Sequence, residues 1–479
     1  MTERSRSAAQ IRLAKPLVTA YVLGLLSSTS PRLIRTLLLW GKGKLTLRAA
    51  WLQAVSTLRR ALSPNRFPAF CATLVGGSTV LQEPLALLFS TISLSRHAQG
   101  YNQKLLAVLA KFAAAFVSAL AAFSLLNRQP QASSTQTTPI SHLDVIKPGP
   151  FDEPPELGSN VVDDAKLRAN ILSRAGKTMD LTLLAAVRAC DVLISKVWDR
   201  TPASMSKNIV SRSTPTILFC FSAATIMHAW FYSPSRLPQT YNQWISAAAE
   251  LDDRLLLTLR HARYGTWTYG IDTGMASLLG SMCHDYGLPE ELGDPAKTIP
   301  IPCELVHMGC GKNCEKHAVR RFLKGWIFAA RMYAPLQLIV LLRHVLLDTT
   351  RSSAFLGAFI ALFYYGVCLS RTRLGPRIFS SKTVTPQMWD SGLCVLGGCL
   401  LCGTSILVEQ SRKRLEILFF VLPRAAATWF PRRYLPEHQW KEHVTFAVSA
   451  AVVLTSVQED PKCVRGVLGN LLTTVMKID

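Results

Sequence analysis

Five residues with metal-binding or redox chemistry crowd into one short stretch: Cys303, His307, Cys310, Cys314 and His317. Their successive spacings of 4, 3, 4 and 3 put all five on one face of a continuous helix. Thiolates and imidazoles are ligands that zinc takes, at roughly 2.0–2.3 Å from the metal. One straight helix cannot close such a site, because the run from Cys303 to His317 would extend about 21 Å. Pro302 suits a helix start, whereas Gly309 and Gly311 argue against an unbroken helix. Two arrangements stay open. Either the Gly309–Gly311 segment folds the chain back, or only neighbouring ligands are used and Cys283 and His284 supply the remainder. A structural zinc site is one expectation. A second is a juxtamembrane turn whose thiols and imidazoles pack or face water, and a third is a redox or haem role. The spacing matches no standard finger pattern, and no Cys-x-x-Cys-His is present for haem.

Other motifs carry less. Gly311-Lys312 resembles the end of a phosphate loop, but Val306 stands where its first glycine belongs and Asn313 where Ser or Thr belongs. Cys399-Leu-Leu-Cys402 has redox spacing inside an apolar run, where packing is the expected role. Neither His-Glu-x-x-His nor Gly-x-Ser-x-Gly occurs. No reaction is therefore indicated. Of the twelve cysteines, Cys71, Cys190, Cys220, Cys368 and Cys394 sit singly in apolar runs. They read as small buried hydrophobes, not a disulfide framework, which fits a reducing compartment on at least one side.

The elements that would position these residues belong to a membrane protein. The chain is 49% hydrophobic and 17% charged, with mean hydropathy +0.22, against about 25% charge in a soluble domain. Net charge is +23. The basic residues sit in short clusters at the ends of apolar runs: Arg59 and Arg60; Arg371, Arg373 and Arg377; Arg412, Lys413 and Arg414; Arg432 and Arg433. Lipid headgroups suit that placement. Nucleic-acid binding would need aromatic interleaving on a soluble basic face, which is missing. The expected fold is an all-α integral membrane protein with about nine spans, each near the ~20 apolar residues a bilayer requires. These are Phe67–Leu94, Leu105–Leu126, Leu181–Trp198, Thr216–Tyr232, Trp326–Leu347, Ala354–Ser370, Ser391–Val408, Leu415–Phe430 and Val444–Val457. The run 11–40, broken by Lys15, Pro16, Pro31 and Arg32, reads as interfacial helices. Residues 45–62 alternate apolar and basic faces as a helix lying on a bilayer would. Glu3 and Pro16 spoil a transit peptide, and no secretory cleavage pattern is evident.

Two related bundles of about four to five helices are expected, joined by the Cys/His-rich segment. The domain map runs 1–44 (interfacial segment), 45–245 (first repeat, with a polar, Pro-rich loop at 127–179), 246–282 (amphipathic connector), 283–324 (Cys/His-rich) and 325–479 (second repeat). Short landmarks recur in order: Arg66–Phe70 with Arg351–Phe355, Leu184–Ala189 with Phe420–Ala425, and Phe221–Ala224 with Val448–Ala451. Duplicated helix sets often form a pathway where the copies meet. Arg188 and Arg424 fall near the middle of corresponding runs. A charge at that depth costs about 2.5–3.5 kcal/mol, so each faces a solvated path, pairs with a partner, or snorkels from a helix lying flat.

The segment Cys283 to His344, with Met332-Tyr-Ala-Pro-Leu336 and the apolar run ending in Leu342-Arg343-His344, resembles the transmembrane protein 135 family. The resemblance is best over about 283–430. More remotely, the small-residue helical repeats look like the peroxisomal membrane protein 4 group and mitochondrial preprotein translocase channels. These resemblances imply a multi-pass protein of a mitochondrial or peroxisomal membrane, acting in membrane organisation or lipid handling without an enzymatic reaction. Its partners would be the bilayer, lipids or other membrane proteins, not nucleic acid. A transporter of an anionic metabolite or lipid, lined by Arg188 and Arg424, and a metal-dependent membrane enzyme are the alternatives.

Overall fold

A computed structural model of the chain describes residues 3–93, 101–128, 176, 178–202, 204–338, 344–380, 382–430, 434 and 436–476. Every element among them is helical. Among the described residues, six helices are long and apolar enough to cross a membrane: Ala14–Gly41, Phe67–Thr91, Gln103–Asn127, Lys207–Tyr232, Thr349–Ile378 and Pro386–Val408. The run expected to break at 11–40 is one helix, Glu3–Gly41, with Pro16 and Pro31 inside it. Prolines are tolerated in apolar helices where neighbouring groups satisfy the freed backbone.

Three runs expected as spans are helical but fall outside the six. Met179–Arg200 contains Arg188, Asp191 and Lys196, and Ser411–Ala427 is short and opens on Arg412, Lys413 and Arg414. Gln439–Glu459 has charged ends and packs much of its length against protein. Trp326–Leu347 and the loop 127–179 lie partly or largely outside the described residues.

The chain divides into two compact units that do not coincide with 45–245 and 325–479. One gathers described residues of 1–139, 168–202 and 433–479; the other lies within 203–432. In the first unit, Ala110, Ala114, Ala115, Ala119 and Ala122 form a nearly fully buried stripe on Tyr101–Asn127. Small residues let backbones approach, and Gln439–Glu459 packs there, with Phe123 and Phe446 stacked at 4.5 Å between ring centroids. Glu442 accepts hydrogen bonds from Thr178 (2.7 Å) and Thr182 (3.1 Å). The amphipathic helix forms as expected at Leu47–Ala61. Its Leu47, Trp51, Val55 and Leu58 form an exposed apolar stripe.

In the second unit, Cys314–Leu338 packs along His344–Cys368, which packs in turn on Cys394–Cys402. Glycines set the separations. A Cβ on Gly357 would stand 2.8 Å from the Phe322 carbonyl oxygen, and one on Gly366 would stand 2.8 Å from the Gly398 Cα. Met205–Tyr232 packs on Cys394–Cys402 and Ser411–Ala427. Residues 239–308, which include the amphipathic connector 246–282, contribute to the unit's main core: Trp267, Leu279, Met282 and Leu305 are almost fully buried in it. Arg260 donates to the carbonyls of Trp230 and Phe231. It thereby satisfies acceptors that the end of Met205–Tyr232 would leave open. Arg371 and Asp390 form a buried ion pair (2.8 Å), joined by the Tyr269 hydroxyl.

Candidate metal centre and apolar cavity

Chain reversal builds the metal-ligating cluster. Cys303 opens the short helix Cys303–Val306 behind Pro302, and His307 ends it. Met308, Gly309 and Gly311 then adopt positive φ of 53°, 75° and 81°. Glycine enters that region without a Cβ penalty, so the chain folds back there and Cys314 starts the helix Cys314–Leu338 beside Cys303. The ligand atoms of Cys303, His307 and Cys314 all lie within 4.8 Å of one another. This cluster could hold a metal ion.

The imidazole of His307 is oriented for that task. Its Nδ1 lies 2.7 Å from the Gly311 carbonyl oxygen, which can only accept. Nδ1 therefore carries the proton and Nε2 the lone pair. Nε2 lies 3.2 Å from the Cys368 Sγ. Burial holds the His307 ring below the ordinary histidine range and raises the Cys303 thiol, with Cys314 adding to the rise. His317 stacks on His307 at 4.5 Å and meets the Tyr364 edge. Burial pulls it down to about 3, with His307 and Arg321 contributing. Both rings are thus neutral at pH 7, the form that ligates metal.

The remaining expected ligands are elsewhere. Cys283 is packed in the hydrophobic core. His284 is exposed beside Asp285. Cys310 accepts a hydrogen bond from Arg320 at 3.0 Å. His317 stands behind His307 and outside the three-residue cluster. Cys368, read from sequence as packing, stands beside His307 in the fold. It lies 61 positions from His307, with no local spacing to signal it. Arg188 and Arg424 fall in different units. Arg188 is buried and donates to the Arg465 carbonyl at 3.0 Å. The Arg424 guanidinium lies over the Phe420 ring at 3.7 Å and donates to the Phe420 carbonyl.

The second unit also holds a cavity of about 440 Å³. Its wall is mostly apolar, aliphatic and aromatic residues together, including Phe219, Ile226, Trp244 and Phe359. Charge enters from one place: Glu409, Lys413 and Glu416, at and just before the start of Ser411–Ala427. The Glu409 carboxylate accepts the Ser352 hydroxyl at 2.5 Å. Fold and sites together define an all-helical protein with membrane-length helices, a Cys/His cluster and an apolar cavity with a charged edge. No protein-family model, curated protein or solved structure matches the chain.

Proposed function

We propose that the chain is a non-enzymatic multi-pass membrane protein that handles lipid, holding an acyl chain in the second unit's cavity. The cavity is the observation that carries this reading. Its volume falls within the ~300–1,000 Å³ of small-ligand pockets. Its apolar wall suits a hydrocarbon chain, and Lys413 beside Glu409 and Glu416 suits a polar headgroup. Six membrane-length helices support a bilayer setting, and the resemblance to the transmembrane protein 135 family supports a mitochondrial or peroxisomal one. The cofactor in this reading is a structural zinc ion on Cys303, His307 and Cys314, stapling the reversed segment to the helices. A duplicated bundle whose copies exchanged their last helices would account for Gln439–Glu459 packing in the first unit and Met205–Tyr232 in the second.

Ala248 lines the cavity, so Ala248→Trp should fill it. The protein purified in mild detergent should carry lipid detectable by mass spectrometry after extraction. The Trp variant should lose most of it, while Leu87→Ala, at an exposed position in the first unit, should not. Equal lipid on a folded Ala248→Trp protein would remove the proposal.

A further inference from the structure

We infer that Cys368 is the fourth ligand of a closed Cys3His metal centre, with Cys303, His307 and Cys314. This rests on the zinc reading above and deepens it by naming the ligand that the three-residue cluster lacks. A tetrahedral structural zinc site takes four protein donors. Three are in place, and His307 directs its Nε2 lone pair at the Cys368 sulfur, 3.2 Å away. Ligands about 2.0–2.3 Å from a shared metal stand roughly 3–4 Å apart, so the observed approach is that of neighbouring donors around one ion.

The surroundings agree. Cys368 is 3% exposed and His307 is fully buried, so water is largely kept from the site. The Gly311 carbonyl takes the His307 Nδ1 proton, the outer-shell contact that orients a ligating histidine. His317 presents a second buried imidazole, and neither of its ring nitrogens has a hydrogen-bond partner among the described residues. A buried polar group without a partner is one signature of an ion site. Its ring lies parallel against that of His307, so it is the competing fourth donor. Cys368 is favoured because its sulfur, unlike the His317 nitrogens, already stands at hydrogen-bond distance from a ligating atom of the cluster, the His307 Nε2.

Three thiolates and one imidazole select a soft, tetrahedral ion, zinc first. Each thiol releases its proton to solvent as the metal binds. Four protein ligands leave no open position for substrate, so the centre is structural and not catalytic. It ties the 303–314 turn to the end of His344–Cys368, where that helix widens into the π turn Leu369–Leu374.

The test uses the full chain in detergent, with zinc counted by elemental analysis and Co2+ as the spectroscopic probe. One metal per chain and thiolate-rich tetrahedral Co2+ bands are expected. Cys368→Ser should weaken metal binding by more than the ~10–100-fold that loss of an outer partner costs. His317→Gln and Cys310→Ser should keep the wild-type spectrum. X-ray absorption on zinc-loaded wild-type protein does not depend on any variant folding, and it should count three sulfurs and one nitrogen. Two sulfurs, or wild-type affinity and spectrum in Cys368→Ser, would overturn the role of Cys368 while leaving zinc on the other three. Loss of the spectrum in His317→Gln with Cys368→Ser unaffected would transfer the role to His317. A wild-type protein without metal would end both readings.

Discussion

Arg371 and Asp390 illustrate how a single residue acts in this protein. Their side chains are 5% and 1% exposed, at 2.8 Å, and Arg371 also donates to the Ile301 carbonyl. Removing one partner of a buried pair leaves an uncompensated charge and costs about 3–5 kcal/mol, whereas replacing both with apolar residues is often close to neutral. Arg371→Met and Asp390→Leu should therefore each lower the melting temperature sharply in detergent. The double variant should be more stable than either. Additive losses in the double variant would show that the pair does not act as a unit. At the same scale, the ligand types of the Cys/His segment were legible from spacing, and so was the fold-back at Gly309–Gly311 as one of two options. The exclusion of Cys283 and His284 was not, because a thiol in a core and a thiol at a metal look alike in sequence.

Helices in this chain meet through glycine. Gly366 faces Gly398, and Gly357 faces the Phe322 backbone. Backbone cannot give way as a side-chain tip can, so overpacking there costs typically 1–3 kcal/mol. Gly366→Val should destabilise the second unit by at least about that much. Gly280→Ala is the contrast: its Cβ would meet nothing within 4 Å, and replacing a mid-helix glycine removes a penalty of roughly 0.5–1 kcal/mol. Thermal unfolding followed by circular dichroism checks both signs. Most helices were readable as apolar runs. The continuity of Glu3–Gly41 was not, because Pro16 and Pro31 break a helix in water more readily than in an apolar setting.

Over the whole molecule, the first compact unit depends on both ends of the chain. Deleting 434–476 removes Gln439–Glu459 and with it Phe446, Ala447 and Ala450 from a core shared with Phe70, Ala119 and Phe123. Limited proteolysis of that truncation should digest 3–128 quickly and leave 204–430 resistant. The opposite pattern would favour the successive repeats drawn from the landmarks. Helicity, apolar segments of bilayer length and a Cys/His cluster are properties of local composition and periodicity, so the sequence by itself determined them. Which thiols share a centre, where a cavity opens and which helix completes which unit were decided only by the tertiary structure. His307 and Cys368 lie 61 positions apart, and such partners meet through the packing of whole helices, which no local spacing encodes.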